Sequence, residues 1–82
     1  MAVFIDIHEG FKGVSQAQFE AAHEADLDIQ AEDDVSFDKA WLDPVSGKAF
    51  CIATGPDRAA VIRVHERAGH PANEVYELPI AV

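Results

Sequence analysis

Four histidines, one cysteine and fifteen acidic residues carry the chemistry this 82-residue chain can offer. Spacing selects a few of them. Asp6 and His8 stand two apart in an apolar run, so they share one face if that run is a strand. His23 and Asp26 stand three apart, which puts both on one side of a helix and within reach of one ion. His65 sits in a second helical pattern after Val64. Imidazole nitrogens with carboxylate oxygens form a donor set for a divalent transition metal. The same groups suit acid–base work, with His23 as a base oriented by Asp26 and His65 as an acid. A third reading has them only satisfy one another as buried hydrogen-bonding partners. Cys51, between Ala49 and Ala53, is a soft ligand as a thiolate and a small buried hydrophobe as a thiol. His70 follows Gly69 and reads as a solvated loop residue, a secondary candidate only.

The elements that must position these residues follow from pattern and punctuation. Val3 to His8 reads as a strand. Ser15 and Gln18 match a capping box, with Val14 and Phe19 at the staple positions, and the helix runs to Ala31. The acidic run Glu32-Asp33-Asp34 then reads as a solvated loop. Val35 to Leu42 and Lys48 to Thr54 form a hairpin across Asp43-Pro44-Val45-Ser46-Gly47. Pro56 suits a first helical position, Gly69 and Pro71 stop the second helix, and Asn73 to Leu78 is the last strand. The order βαββαβ predicts one ferredoxin-like α+β domain over residues 1–82, with two helices on one face of a four-stranded antiparallel sheet.

Helical geometry then places the polar residues. At about 100° per residue, His23, Asp26 and Gln30 fall near Phe19, inside the apolar arc of the first helix. His65 falls inside the arc of Val61, Val64 and Ile62 on the second. Both helices are thus expected to aim an imidazole inward. Apolar residues also mark both sheet faces: Val3, Ile5 and Ile7 oppose Phe4, and Phe50 and Ile52 oppose Cys51. With helices on one face only, the second predicts a homodimer packed through sheet faces. Trp41 is expected on the face of Val35 and Phe37, where Lys39 would have to snorkel to an edge.

Composition bounds the partners. A formal charge of −9 lacks the clustered Lys and Arg that nucleic acid or an anionic membrane surface requires. It favours cations. One cysteine cannot close an internal disulfide, which fits a cytoplasmic protein, and no segment has the apolar length of a membrane span. The chain contains no C-x-x-C, no H-E-x-x-H and no phosphate-binding glycine loop.

Several strings together resemble a small family first catalogued as a domain of unknown function. They are Asp6-Ile7-His8, Ala21-Ala22-His23-Glu24-Ala25-Asp26-Leu27 with Gln30, Gly47-Lys48-Ala49-Phe50-Cys51, Val64-His65 and Ala72-Asn73-Glu74-Val75-Tyr76-Glu77. The resemblance runs nearly end to end. It implies a dimeric ferredoxin-like protein that binds nickel, with Asp6, His8, His23, Asp26, Cys51 and His65 as candidate ligands. Related chains often carry a histidine directly before the glycine after the second helix, whereas here the order is Gly69-His70. The expectation is therefore a Ni²⁺-binding protein for buffering, storage or sequestration, with a donor set that also suits Zn²⁺ and Cu²⁺. A small dimeric enzyme using His23, Asp26 and His65, or a metal-free structural dimer, are the alternatives.

Overall fold

Phe4, Asp6 and His8 alternate with Val3, Ile5 and Ile7, as a strand covered on one side requires. In the computed structural model, which describes residues 1–82, Ala2–His8 is strand β1. Helix α1 (Gln16–Ile29), strands β2 (Ser36–Asp43) and β3 (Lys48–Gly55), helix α2 (Arg58–Arg67) and strand β4 (Glu74–Glu77) follow. The sheet runs β2-β3-β1-β4 with every neighbour antiparallel. This is the expected ferredoxin-like α+β arrangement. The buried sheet residues Phe4, Asp6, His8, Phe37, Cys51, Ala53 and Val75 mark the helix-covered face. Val61 and Val64 of α2 close the core over them.

Local chemistry sets the boundaries. Ser15 Oγ accepts from the Gln18 amide at 3.2 Å, and Gln18 Oε1 accepts from the Ser15 amide at 2.9 Å. The capping box thus starts α1 where it was expected. The α-helix ends at Ile29 rather than Ala31, because Gln30–Asp33 tightens into a 3₁₀ turn that the left-handed Asp34 terminates. That turn lets Gln30 Oε1 accept from the Phe37 amide at 2.8 Å, so this inward amide anchors the start of β2. The acidic run is not a free solvated loop. Arg67 donates to Asp33 at 2.5 Å and pairs with Glu32 at 3.1 Å, while Arg63 reaches Asp33 at 3.2 Å. Helix α2 starts after Asp57, not at Pro56, since the Asp57 carboxylate caps the Ala60 amide at 2.8 Å.

A β-bulge corrects the expected facing of Trp41. Phe37 pairs with Ala53, but Lys39 pairs with Ile52, so Asp38 is an extra residue in β2. Phe37 consequently faces the helices, while Lys39 and Trp41 turn to the other face. The Lys39 ammonium lies 5.3 Å over the Trp41 ring, a cation–π arrangement that removes any need to bury it. On that open face Ile5, Ile7, Phe50 and Ile52 are half-buried, and Val3, Trp41 and Tyr76 are exposed.

The loop after β1 is held against the β2–β3 hairpin. The Phe11 amide donates to the Gly47 carbonyl at 3.0 Å. Gly47 has φ 80°, and a Cβ there would lie 2.9 Å from the Lys12 amide nitrogen, so both backbone shape and space call for glycine.

Candidate metal centre

Strand alternation carries Asp6 and His8 to the helix side of β1, where they are 0% and 2% exposed. Cys51 is directly opposite Asp6 on β3 and is also buried. Helix α1 contributes Asp26, and the last turn of α2 contributes His65, which is fully buried. After α2, Gly69 adopts φ 89° and turns the chain back, which brings His70 inward. The expectation of a solvated His70 is therefore corrected: its side chain is 18% exposed and its Nε2 lies 2.9 Å from Asp26 Oδ1.

These residues form one alternating chain of imidazole and carboxylate. His8 Nε2 lies 2.7 Å from Asp6 Oδ1. His65 Nε2 lies 2.9 Å from that same oxygen, and His65 Nδ1 lies 3.0 Å from Asp26 Oδ1. His70 completes the series on Asp26. The two contacts of His65 are close, yet neither is aligned as a hydrogen bond, and Asp6 Oδ2 is buried without a partner. At the far end, His8 Nδ1 lies 3.3 Å from the Pro71 carbonyl. Asp6 and the Pro71 carbonyl can both only accept, so in the metal-free protein the short contact is an Nε2–H donating to Asp6, and an ion that replaces this proton would free Nε2 as a ligand while Nδ1 turns to Pro71.

The electrostatics follow from that chain. Burial works to raise the Asp6 carboxyl, but the close approach of His65 and then the hydrogen bond from His8 hold it below the ordinary range. Asp26 is likewise opposed by burial and held low by His65 and His70. Burial would lower His65, but Asp26 and Asp6 together push it up to about 9. With its proton retained, the imidazolium offsets part of two buried negative charges. Burial pushes the Cys51 thiol well up, and the charges of Asp6 and Asp26 push it further, so Cys51 is held as a neutral thiol.

Two overlapping groups have the spacing to hold an ion: Asp6, His8, Cys51 and His65, and Asp26, His65 and His70. They share His65. Beside them lies a space of about 10 Å³, bounded by His8, His23, Asp26, Cys51 and His70, with room for one water-sized occupant. Of the six residues singled out in the sequence, five fall in these groups and His23 does not. His23 borders the cavity, half-buried, with its Nδ1 unpartnered, and the expected hydrogen bond between His23 and Asp26 is not formed. Asp26 serves His65 and His70 instead. His70 is the residue that sequence reasoning undervalued. The available signal was the glycine before it, a helix stop that reverses the chain toward the sheet.

Both the fold and the sequence have known relatives. The fold matches the crystal structure of SCO4226 from Streptomyces coelicolor A3(2) with a TM-score of 0.97 and 46% sequence identity, over 99% of this chain and 100% of that one. A search among curated proteins gave no match. Residues 4–78 match the family model described as nickel responsive protein, SCO4226-like. The chain belongs to the SCO4226-like family of nickel-responsive proteins.

Proposed function

We propose that this chain binds a divalent transition metal, Ni²⁺ by preference, through Asp6, His8, Asp26, His65 and His70, as a cytoplasmic protein for buffering, storage or sequestration. The observation that carries the reading is the alternating chain itself. Two carboxylates and three imidazoles converge in the interior, with their closest nitrogen–oxygen pairs at 2.7–3.0 Å. With neutral imidazoles the cluster holds a charge of −2, which a dication neutralises in one step. Neither nitrogen of His65 is spent on a hydrogen bond, so each is available to an ion on its own side of the ring, Nε2 beside Asp6 and Nδ1 beside Asp26. The preference for nickel is supported by the description of the matching family as nickel responsive. The Pro71 carbonyl on His8 is the outer partner that orients a ligating imidazole. Cys51 and His23 border the centre, Cys51 as a neutral thiol and His23 at the cavity wall.

The acid–base reading has less support. It needed Asp26 to orient His23, and Asp26 is committed elsewhere. The cavity suits an ion or a water rather than an organic substrate.

We also propose that two copies pack through their open sheet faces. Val3 (40%), Trp41 (46%) and Tyr76 (52%) are exposed there beside half-buried Ile5, Ile7, Phe50 and Ile52, an apolar surface of the kind a partner covers.

Calorimetric titration of tag-free, metal-free protein with Ni²⁺ and with Zn²⁺ at pH 7.5 tests the metal reading. Saturable Ni²⁺ binding at a whole-number stoichiometry, abolished in His65→Gln, is expected. Absence of binding, or binding untouched by that substitution, would reject it.

A further inference from the structure

Helix α1 carries a graded series of donors. Glu20, His23 and Asp26 stand three residues apart, so each pair shares a flank of the helix. Each step turns about 60° further round the axis. Glu20 is exposed, His23 is half-buried and Asp26 is 1% exposed. The series therefore descends from solvent into the metal centre along a single helix.

Two hollows meet at its middle member. Outside lies an open depression lined by Gln16, Phe19, Glu20, His23 and Ala40, roomy enough for several waters. Inside lies the water-sized cavity bordered also by His8, Asp26, Cys51 and His70. Phe19 and His23 line both hollows and form the partition between them. Phe19 packs edge-on against Phe11, with ring centroids 6.1 Å apart, and offers an ion no donor. His23 is the polar part of the partition, and its Nδ1 is buried without a partner. Leaving such a group unsatisfied costs about 1–3 kcal/mol, a cost that a ligand at this wall removes.

The other sides of the centre are walled. Strands β1 and β3 form a continuous hydrogen-bonded floor, and Val61 and Val64 of α2 are fully buried over it. His70 is the remaining point near solvent, and it belongs to the centre itself. A dication sheds its water on the way in, so an apolar partition stops it unless a donor replaces the lost water there. At the mouth, Gln16 Nε2 donates to Glu20 Oε1 at 3.0 Å and holds a carboxylate where a cation arrives.

We propose that His23 is the entry ligand of the centre: it accepts a divalent transition-metal ion from the Glu20 mouth and passes it to Asp26 and His70, without joining the resident ligand set. This rests on the metal-binding reading above and supplies its route. A residue on the route lowers a barrier and leaves the end states alone, so its loss slows uptake and release by the same factor.

The test loads the full, tag-free chain with Ni²⁺, follows release into an excess of a colorimetric chelator, measures affinity by calorimetry and obtains uptake from their ratio. His23→Phe keeps a ring at the partition without a donor. It should slow release and uptake at least about tenfold each, with Kd within about threefold of the parent. His23→Glu, which restores a donor, should recover most of the rate, and Glu20→Gln, at an exposed position, should slow uptake at low ionic strength. Weaker affinity with release unslowed in His23→Phe would make His23 a resident ligand and overturn the route. Rates unchanged in both His23→Phe and Glu20→Gln would place entry elsewhere, beside His70, and overturn it equally. A parent chain that binds no Ni²⁺ removes the metal reading and this proposal with it.

Discussion

Raising the pH of the metal-free protein from 6 to 9.5 should destabilise it, and His65 is the reason. In the unfolded chain its imidazole titrates near 6.5, whereas between Asp26 and Asp6 it is held up to about 9. The stabilisation is complete below about pH 6.5 and is lost as the pH rises through 9. At about 1.4 kcal/mol per pH unit the full effect is about 3 kcal/mol. The lowering of Asp6 and Asp26 is the same interaction seen from its other partners and is counted once. Those carboxylates set the acid limit, since their contribution is present above the ordinary value of 3.8 and is lost as the pH falls below it. A domain of this size has only about 4–12 kcal/mol in total, so the alkaline loss is large. Urea unfolding in the presence of a chelator at pH 6, 7.5 and 9.5 measures it. With a denaturant slope of about 1 kcal/mol per molar, the midpoint should fall by roughly 2–3 M across the series. His65→Gln should begin less stable at pH 6 and show little further loss. A midpoint that stays level from pH 6 to 9.5 in the parent chain would refute the imidazolium between two carboxylates.

Three further outcomes follow from the same geometry. His70→Ala should weaken Ni²⁺ binding about 10–100-fold by calorimetry, while Glu66→Ala, on an exposed side chain, should leave it unchanged. Gly69→Ala meets no neighbour but must hold φ 89°, so it should cost about 1 kcal/mol or more in urea unfolding and weaken nickel binding by displacing His70. The Cys51 thiol, buried and held neutral, should react with a disulfide reagent at least about a hundredfold more slowly in the native protein than in urea.

The element order, the capping box and the inward stripe of His23, Asp26 and His65 were legible because they depend on local spacing. So was the shared face of Asp6 and His8, although the strand alone could not say which side the helices cover. The misreadings concern contacts that local pattern does not encode. One extra residue at Asp38 reverses the facing of Trp41 and Lys39, and no turn or glycine signals a bulge there. The acidic run Glu32-Asp33 is claimed by Arg63 and Arg67 some thirty residues later, a pairing set by how the two helices pack. Asp26 is three residues from His23 but pairs with His65 and His70, because the helix aims its carboxylate at α2 rather than along its own axis. His70 was undervalued since a loop position gives no periodicity, and only Gly69 hinted at the reversal.

The central claim concerns where an ion sits, and anomalous diffraction at the nickel edge from crystals grown with stoichiometric Ni²⁺ tests it most directly. The account predicts a peak within about 2.2 Å of a ring nitrogen of His65 and of a carboxylate oxygen of Asp6 or Asp26, with His8 or His70 as a further ligand. A peak confined to the exposed acidic surface, or no peak between these side chains at full loading, would contradict it.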